Sequence, residues 1–127
     1  MDQSGEERGI IEVKANKMNV EEIVKVLGLE VYTNCDLVSR NVNGGYVSDL
    51  LSDVMGHAKE GEVWITLQSH INVVAIASMK ELAAIVLVKG IEPGKEVVEK
   101  AEEEGIPLLG TMDDTFTLSG KLFQLLR

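Results

Sequence analysis

The stretch EVWITLQSHINVVAIASMKELAAIVLVKGIEPGKEVVEKAEEEGIPLLG, residues 62–110, decides the fold of this chain. Apolar runs at residues 62–67, 84–88 and 106–109 predict three buried strands. By composition alone, residues 73–77 also suit a buried strand. A parallel crossover takes a dozen or more residues and is usually helical, so residues 70–80 are predicted to form a mostly buried helix. The alternation of strands and helices predicts an α/β fold with a parallel sheet and right-handed crossovers.

A helix and a short strand are predicted upstream of this stretch. Asn19 and Glu22 have the spacing of a capping box, and Gly28 ends the apolar periodicity that follows. Residues 29–33 have the composition of a short strand.

A glycine loop is predicted next, at Asn43-Gly44-Gly45, where a tight turn would need positive φ. It precedes an amphipathic helix predicted over residues 47–55 and ended by Gly56. The apolar face of that helix suits either the core or an interface.

Two more helices complete the pattern downstream. Pro93 is predicted in the first turn of a helix that Gly105 ends. Asp113 or Asp114 is predicted to cap the last helix, whose inner face carries leucines at 118, 122, 125 and 126.

The composition indicates one globular domain that neither spans a membrane nor binds nucleic acid. The chain has 127 residues, of which 45% are hydrophobic and 26% are charged. A net charge of -9 disfavours nucleic acid and anionic membranes, and the apolar runs are too short for a membrane span. The polar residues 1–9 are predicted to be a disordered tail, with one domain over residues 10–127. One cysteine and no signal peptide predict a cytoplasmic protein.

The residues from Asn43 to Met55 (NGGYVSDLLSDVM), followed by Trp64 to Gln68, resemble the DRTGG domain family. The resemblance covers residues 20–127, although the Asp-Arg-Thr-Gly-Gly segment itself is reduced to a glycine pair. The stretch from Val88 to Thr111 is also similar to the non-catalytic N-terminal domain of HPr kinase/phosphorylase. The resemblance implies a three-layer α/β domain that accompanies other modules and is regulatory or mediates dimerisation. It implies no kinase activity.

The candidate ligand site lies where parallel strands end, because ligands of open α/β sheets collect outside the carboxyl ends of the strands. The glycine pair before a helix suits an anion, although Asp49 in the predicted first turn already satisfies the helix dipole. The candidate ligand-binding residues are Gly44, Gly45, Tyr46, Gln68, Ser69, His70, Asn72, Thr111 and Asp114. Ordinary helix capping is the alternative role for Ser69 and Asp114.

Catalytic and metal sites are not predicted. The sequence Gly90-Ile91-Glu92-Pro93-Gly94-Lys95 has the wrong glycine spacing for a P-loop and no following serine or threonine. His57 and His70 lack ligand partners at a recognised spacing, and Cys35 beside Asp36 is disfavoured as a thiolate. No cofactor is expected. The function predicted is a non-enzymatic regulatory module that binds a small, phosphorylated or nucleotide ligand and acts as a homodimer. The alternative is a protein-interaction or dimerisation module without a ligand.

Overall fold

The computed structural model describes residues 18–127. The predicted tail, residues 1–9, and residues 10–17 of the predicted domain lie outside the described residues. The described strands are β1 (Glu30–Val31), β2 (Gly44–Val47), β3 (Glu62–Thr66), β4 (Ala84–Leu87) and β5 (Leu108–Gly110). The described helices are α1 (Val20–Leu27), α2 (Leu51–His57), α3 (Asn72–Met79), α4 (Lys95–Glu104) and α5 (Thr115–Leu126).

The strands form one sheet in the order β1-β5-β4-β3-β2. Strands β2 to β5 run parallel, and β1 adds to β5 in the antiparallel direction. The predicted α/β fold with a mostly parallel sheet is confirmed. The helix predicted over residues 70–80 is also confirmed, as α3.

Helices cover the sheet on both faces, which confirms the three layers. Trp64, Ile85 and Leu108 point to one face and pack with residues of α2, α3 and α4. Val63 and Val86 point to the other face and pack with residues of α1 and α5. A parallel sheet buried on both faces needs apolar side chains along its strands; β4 is apolar throughout, and β3 is apolar at Val63, Trp64 and Ile65.

Local sequence signals account for the helix ends that were predicted correctly. The Asn19 side chain accepts from the Glu22 amide at 2.9 Å, and the Glu22 carboxylate accepts from the Asn19 amide at 2.9 Å, as a capping box requires. Gly28 and Gly105 end α1 and α4 with φ of 65° and 72°. Asp114, rather than Asp113, caps α5.

The prediction for residues 43–56 is wrong in three details. Gly44 and Gly45 begin strand β2 instead of forming a loop, and neither is among the described glycines with positive φ. Helix α2 begins at Leu51, not at residue 47, and Gly56 lies inside it. The reason is tertiary: a Cβ on Gly45 would lie 3.1 Å from Cδ2 of Leu122, so the glycine lets α5 pack close to β2.

The start of α4 also differs from the prediction. Pro93 precedes the N-cap residue Gly94 and lies outside the first turn of the helix. The restricted φ of proline is compatible with either position, so the sequence alone does not distinguish them.

Candidate functional site at the carboxyl edge of the sheet

The carboxyl ends of β3, β4 and β5 meet at one edge of the sheet, because these strands are parallel neighbours. Most of the predicted site residues lie in the segments that follow these strands: Gln68, Ser69, His70 and Asn72 after β3, and Thr111 and Asp114 after β5. The structure therefore brings these residues to a common edge, as two groups on either side of the end of β4.

The glycine pair lies at the opposite edge, so its predicted place in the same pocket is wrong. Gly44 pairs with Glu62, the first residue of β3, and Gly45 pairs with Val63. Since β2 and β3 run parallel, both glycines are at the amino end of the sheet. Tyr46 follows them within β2, and its hydroxyl donates to Oδ2 of Asp53 at 2.9 Å.

Asp49, in the segment between β2 and α2, is hydrogen-bonded to the end of β3 and to the residue that follows it. Its Oδ1 accepts from the buried Thr66 hydroxyl at 2.8 Å and from the Leu67 amide at 2.7 Å. Its backbone oxygen accepts from Nε2 of Gln68 at 3.0 Å. The sequence predicts Asp49 in the first turn of a helix. In the structure it precedes α2 and accepts hydrogen bonds from the end of β3 instead. This role depends on a contact distant in sequence, and the sequence pattern does not reveal it.

The other predicted site residues make local contacts of the capping kind. Nδ1 of His70 accepts from the Asn72 amide at 3.1 Å, at the start of α3. The Thr111 hydroxyl accepts from the Asp113 amide at 3.1 Å. Asp114 accepts from the Thr117 amide at 2.8 Å. His70 is exposed.

Hydrogen bonds lower the pKa of two carboxyl groups in this region, those of Asp114 and Asp53. The Thr117 amide lowers the pKa of Asp114, and the nearby positive charge of Lys89 lowers it further. On the neighbouring helix, hydrogen bonds from Ser48 and Tyr46 lower the pKa of Asp53.

Lys89 is a residue that the sequence reasoning missed. It follows β4, the central strand of the edge, and its backbone is left-handed, with φ of 60°. The Lys89 amide donates to the Asp113 oxygen at 2.8 Å, and the next amide, of Gly90, donates to the Thr111 oxygen at 2.9 Å. Its side chain is exposed between the two groups of polar residues. A lysine directly before a glycine at a strand end is the signal that could have identified it.

Arg40 has a structural role at the amino edge. Its Nε donates to the Ala83 oxygen at 3.0 Å, and its Nη2 donates to the Leu82 oxygen at 2.8 Å. The guanidinium therefore ties the segment before β2 to the segment before β4.

Residues 18–127 contain no group of three or more histidine, cysteine, aspartate or glutamate side chains placed to hold a metal ion. Within the same residues, each helix falls short of the length and apolar character that crossing a bilayer requires.

Comparisons with known proteins agree with this fold. No curated protein matches the sequence. Among the similar solved structures, at a TM-score of 0.72 and 22% sequence identity, are the CBS and DRTGG domains of the regulatory region of Clostridium perfringens pyrophosphatase, complexed with the activator diadenosine tetraphosphate. The similarity covers 91% of this chain and 50% of that chain, so this chain spans about half the length of that structure. The model of the DRTGG domain matches residues 22–125, and the chain therefore belongs to the DRTGG domain family.

Proposed function

We propose that this chain is a cytoplasmic regulatory module without enzymatic activity, which binds a small phosphorylated or nucleotide ligand at the carboxyl edge of its sheet and acts as a homodimer. The observation that carries the proposal is the position of Lys89. It places an exposed ammonium group at the end of the central strand β4, between Gln68-Ser69-His70 and Thr111.

The backbone at Lys89 supports a role in binding. A non-glycine residue with positive φ is uncommon, and such residues concentrate at ligand sites, where the surrounding structure holds the strain. Here the amides of Lys89 and Gly90 both donate to the segment after β5. The side chain is thus presented from a fixed backbone, as the recognition of an anion at a strand end requires.

The class of ligand is suggested by the similar regulatory region, which was crystallised with diadenosine tetraphosphate. At 22% identity, the similarity to this regulatory region shows only that the fold is shared. We therefore take diadenosine tetraphosphate as the first compound to test on this chain. Adenosine triphosphate and inorganic pyrophosphate distinguish recognition of the nucleoside from recognition of the phosphate chain.

The experiment is calorimetric titration of the protein with these three compounds, for the wild type, Lys89→Met and Lys59→Met. Lys59 is a control because it is an exposed lysine before β3, at the amino edge of the sheet. A hydrogen bond to a charged group contributes about 1.5–3 kcal/mol, so Lys89→Met should weaken binding at least tenfold, with Lys59→Met unchanged. Absence of binding for all three compounds, or equal binding by both variants, would contradict a phosphate site at Lys89.

The second candidate is a protein-interaction or dimerisation module without a ligand. It is favoured by the carboxyl-edge side chains, since Gln68, His70, Thr111 and Asp114 all make hydrogen bonds within the chain. An apolar groove of about 390 Å³ also lies between α2 and α3, where Met79 is 64% exposed. A dimer that forms at the same concentration with and without every tested compound would support this second candidate.

A further inference from the structure

A groove of about 530 Å³ follows strand β2 on the side of the sheet where α5 packs. Its apolar walls are formed by side chains from β2, β3 and α5: Val47, Ile65, Leu122, Phe123 and Leu126. Val47 is 49% exposed and Phe123 is 69% exposed, so the groove opens to solvent. Small-molecule sites have volumes of roughly 300–1,000 Å³ and mostly apolar linings. This groove therefore suits the apolar body of a small ligand.

The α5 wall of the groove carries a buried hydroxyl group without a partner. Oγ of Ser119 is buried, and it forms no hydrogen bond with any residue from 18 to 127. Serine hydroxyls inside a helix commonly bond to the carbonyl one turn earlier, and this one does not. The large majority of buried polar groups in native proteins are hydrogen-bonded, so this exception requires an explanation. Because Ser119 lines the groove, a ligand with a polar group could supply the missing partner.

Two side chains of opposite charge, Glu62 and Arg127, also line the groove. Arg127 follows the last turn of α5, about 12 Å along the helix from Ser119. Oε1 of Glu62 accepts from the Lys59 amide at 2.7 Å, whereas Oε2 lies beside Gly44, 3.7 Å from where a Cβ would be. No ion pair joins Glu62 to Arg127 within the described part of the chain. A carboxylate and a guanidinium at one apolar groove complement the two charges of a zwitterion.

We propose that this groove binds a free aromatic amino acid whose ring carries a hydrogen-bond donor, namely tyrosine or tryptophan. The ammonium group pairs with Glu62 and the carboxylate with Arg127. The ring lies against Phe123 in the offset or edge-to-face arrangement that aromatic pairs prefer. The hydroxyl of tyrosine, or the indole N–H of tryptophan, donates to Oγ of Ser119, which phenylalanine and aliphatic amino acids leave unpaired. A zwitterion has no net charge, so the charge of -9 on the protein does not repel it.

The test is a titration of the full chain, labelled with ¹⁵N, with free tyrosine, tryptophan and phenylalanine. Tyrosine and tryptophan should shift the amide signals of residues 44–47 and 119–126, and those of residues 68–70 and Lys89 should stay in place. Phenylalanine should bind at least tenfold more weakly than tyrosine, because a site that hydrogen-bonds a hydroxyl rejects the analogue that lacks it. No shift with any of the three, equal affinity for tyrosine and phenylalanine, or shifts confined to residues 68–70 and Lys89 would overturn the proposal.

Ser119→Ala and Ser52→Ala are a matched pair of variants for the hydroxyl. Both replace a helical serine, but Ser52 is exposed on α2. Ser119→Ala should reduce the preference for tyrosine over phenylalanine to less than twofold, and Ser52→Ala should keep it at tenfold or more. The melting temperature of ligand-free Ser119→Ala should not fall, because the hydroxyl that it removes has no partner within residues 18–127. A preference that persists in Ser119→Ala, or a lower melting temperature, would contradict the role of this hydroxyl.

Glu62→Gln tests the charged groups of the groove separately. Glutamine keeps an oxygen for the Lys59 amide, so the local fold is retained. The variant should bind tyrosine at least tenfold more weakly than the wild type and still prefer it to phenylalanine. Glu60→Gln, at an exposed position nearby, should bind as the wild type does. Wild-type affinity in Glu62→Gln would show that no ammonium group pairs with Glu62.

Discussion

At the scale of single residues, Asp49 connects three parts of the carboxyl edge. Its carboxylate accepts from the Thr66 hydroxyl and the Leu67 amide, and its backbone oxygen accepts from Gln68. Thr66 is only 1% exposed, so its hydroxyl has little access to water as a replacement partner. The position of the proposed ligand site relative to α2 depends on this residue.

We therefore expect Asp49→Ala to destabilise the protein. Loss of a hydrogen bond to a charged group, with a buried hydroxyl deprived of an acceptor, costs about 1–3 kcal/mol. Asp49→Asn keeps an oxygen at the same place and should lose less. Urea denaturation of both variants measures the difference. If Asp49→Ala unfolds at the wild-type midpoint, the hydrogen bonds to β3 are not stabilising the native state.

At the scale of elements, the N-cap of α5 gives this helix a sensitivity to acid. Asp114 accepts from the Thr117 amide at 2.8 Å, and this bond lowers the pKa of the carboxyl group in the folded protein. Its contribution to stability is therefore complete above the unfolded pKa of about 3.9 and is lost as the pH falls through the lower folded value. Helix α5 packs against β2 at Gly45, so the cap also affects this contact.

Asp114→Asn tests this cap, because asparagine is an equally good N-cap that does not titrate. The melting temperature of the wild type should fall relative to that of Asp114→Asn as the pH is lowered from about 5 to about 2. Asp36→Asn is a useful comparison, since hydrogen bonds from Ser39 lower the pKa of that carboxyl group in a loop instead of at a helix end. Parallel melting curves for the wild type and Asp114→Asn at every pH would show that the cap charge has no effect on folding stability.

At the scale of the whole molecule, the prediction concerns association of two copies. Met79 lines the groove between α2 and α3 and is 64% exposed, on the side of the sheet that α2, α3 and α4 cover. An exposed apolar side chain at an apolar groove is the kind of surface that closed two-fold dimers bury. This side of the sheet is opposite the one that α1 and α5 cover.

Light scattering of the full chain should give twice the monomer mass of 13.9 kDa at micromolar concentration. Met79→Lys should shift the protein towards monomer, because a dimer would bury the new charge. Lys80→Met, at the next position, adds apolar surface without a charge and should leave the dimer intact. A monomeric wild type across the concentration range would contradict the homodimer.

Much of the fold follows from local sequence. The capping box of Asn19 and Glu22, the glycine that ends α1 and the cap of α5 are contacts within three or four residues, so the sequence pattern contains both partners. The parallel sheet follows from strand spacing, because the interval between Leu67 and Ala84 is filled most simply by a helix. The placement of Gln68, His70 and Thr111 at one edge follows from the same topology.

The rest was decided by contacts between residues distant in sequence. Gly44 and Gly45 have the composition of a turn, yet they start an edge strand because β3 offers them hydrogen bonds and α5 packs against Gly45. Asp49 and Lys89 acquire their roles only when the ends of β3 and β5 come beside them. The sequence by itself determined the order of elements and the polar edge. The tertiary structure decided which residues face that edge, because pairing and packing energies exceed the local preferences of a short segment.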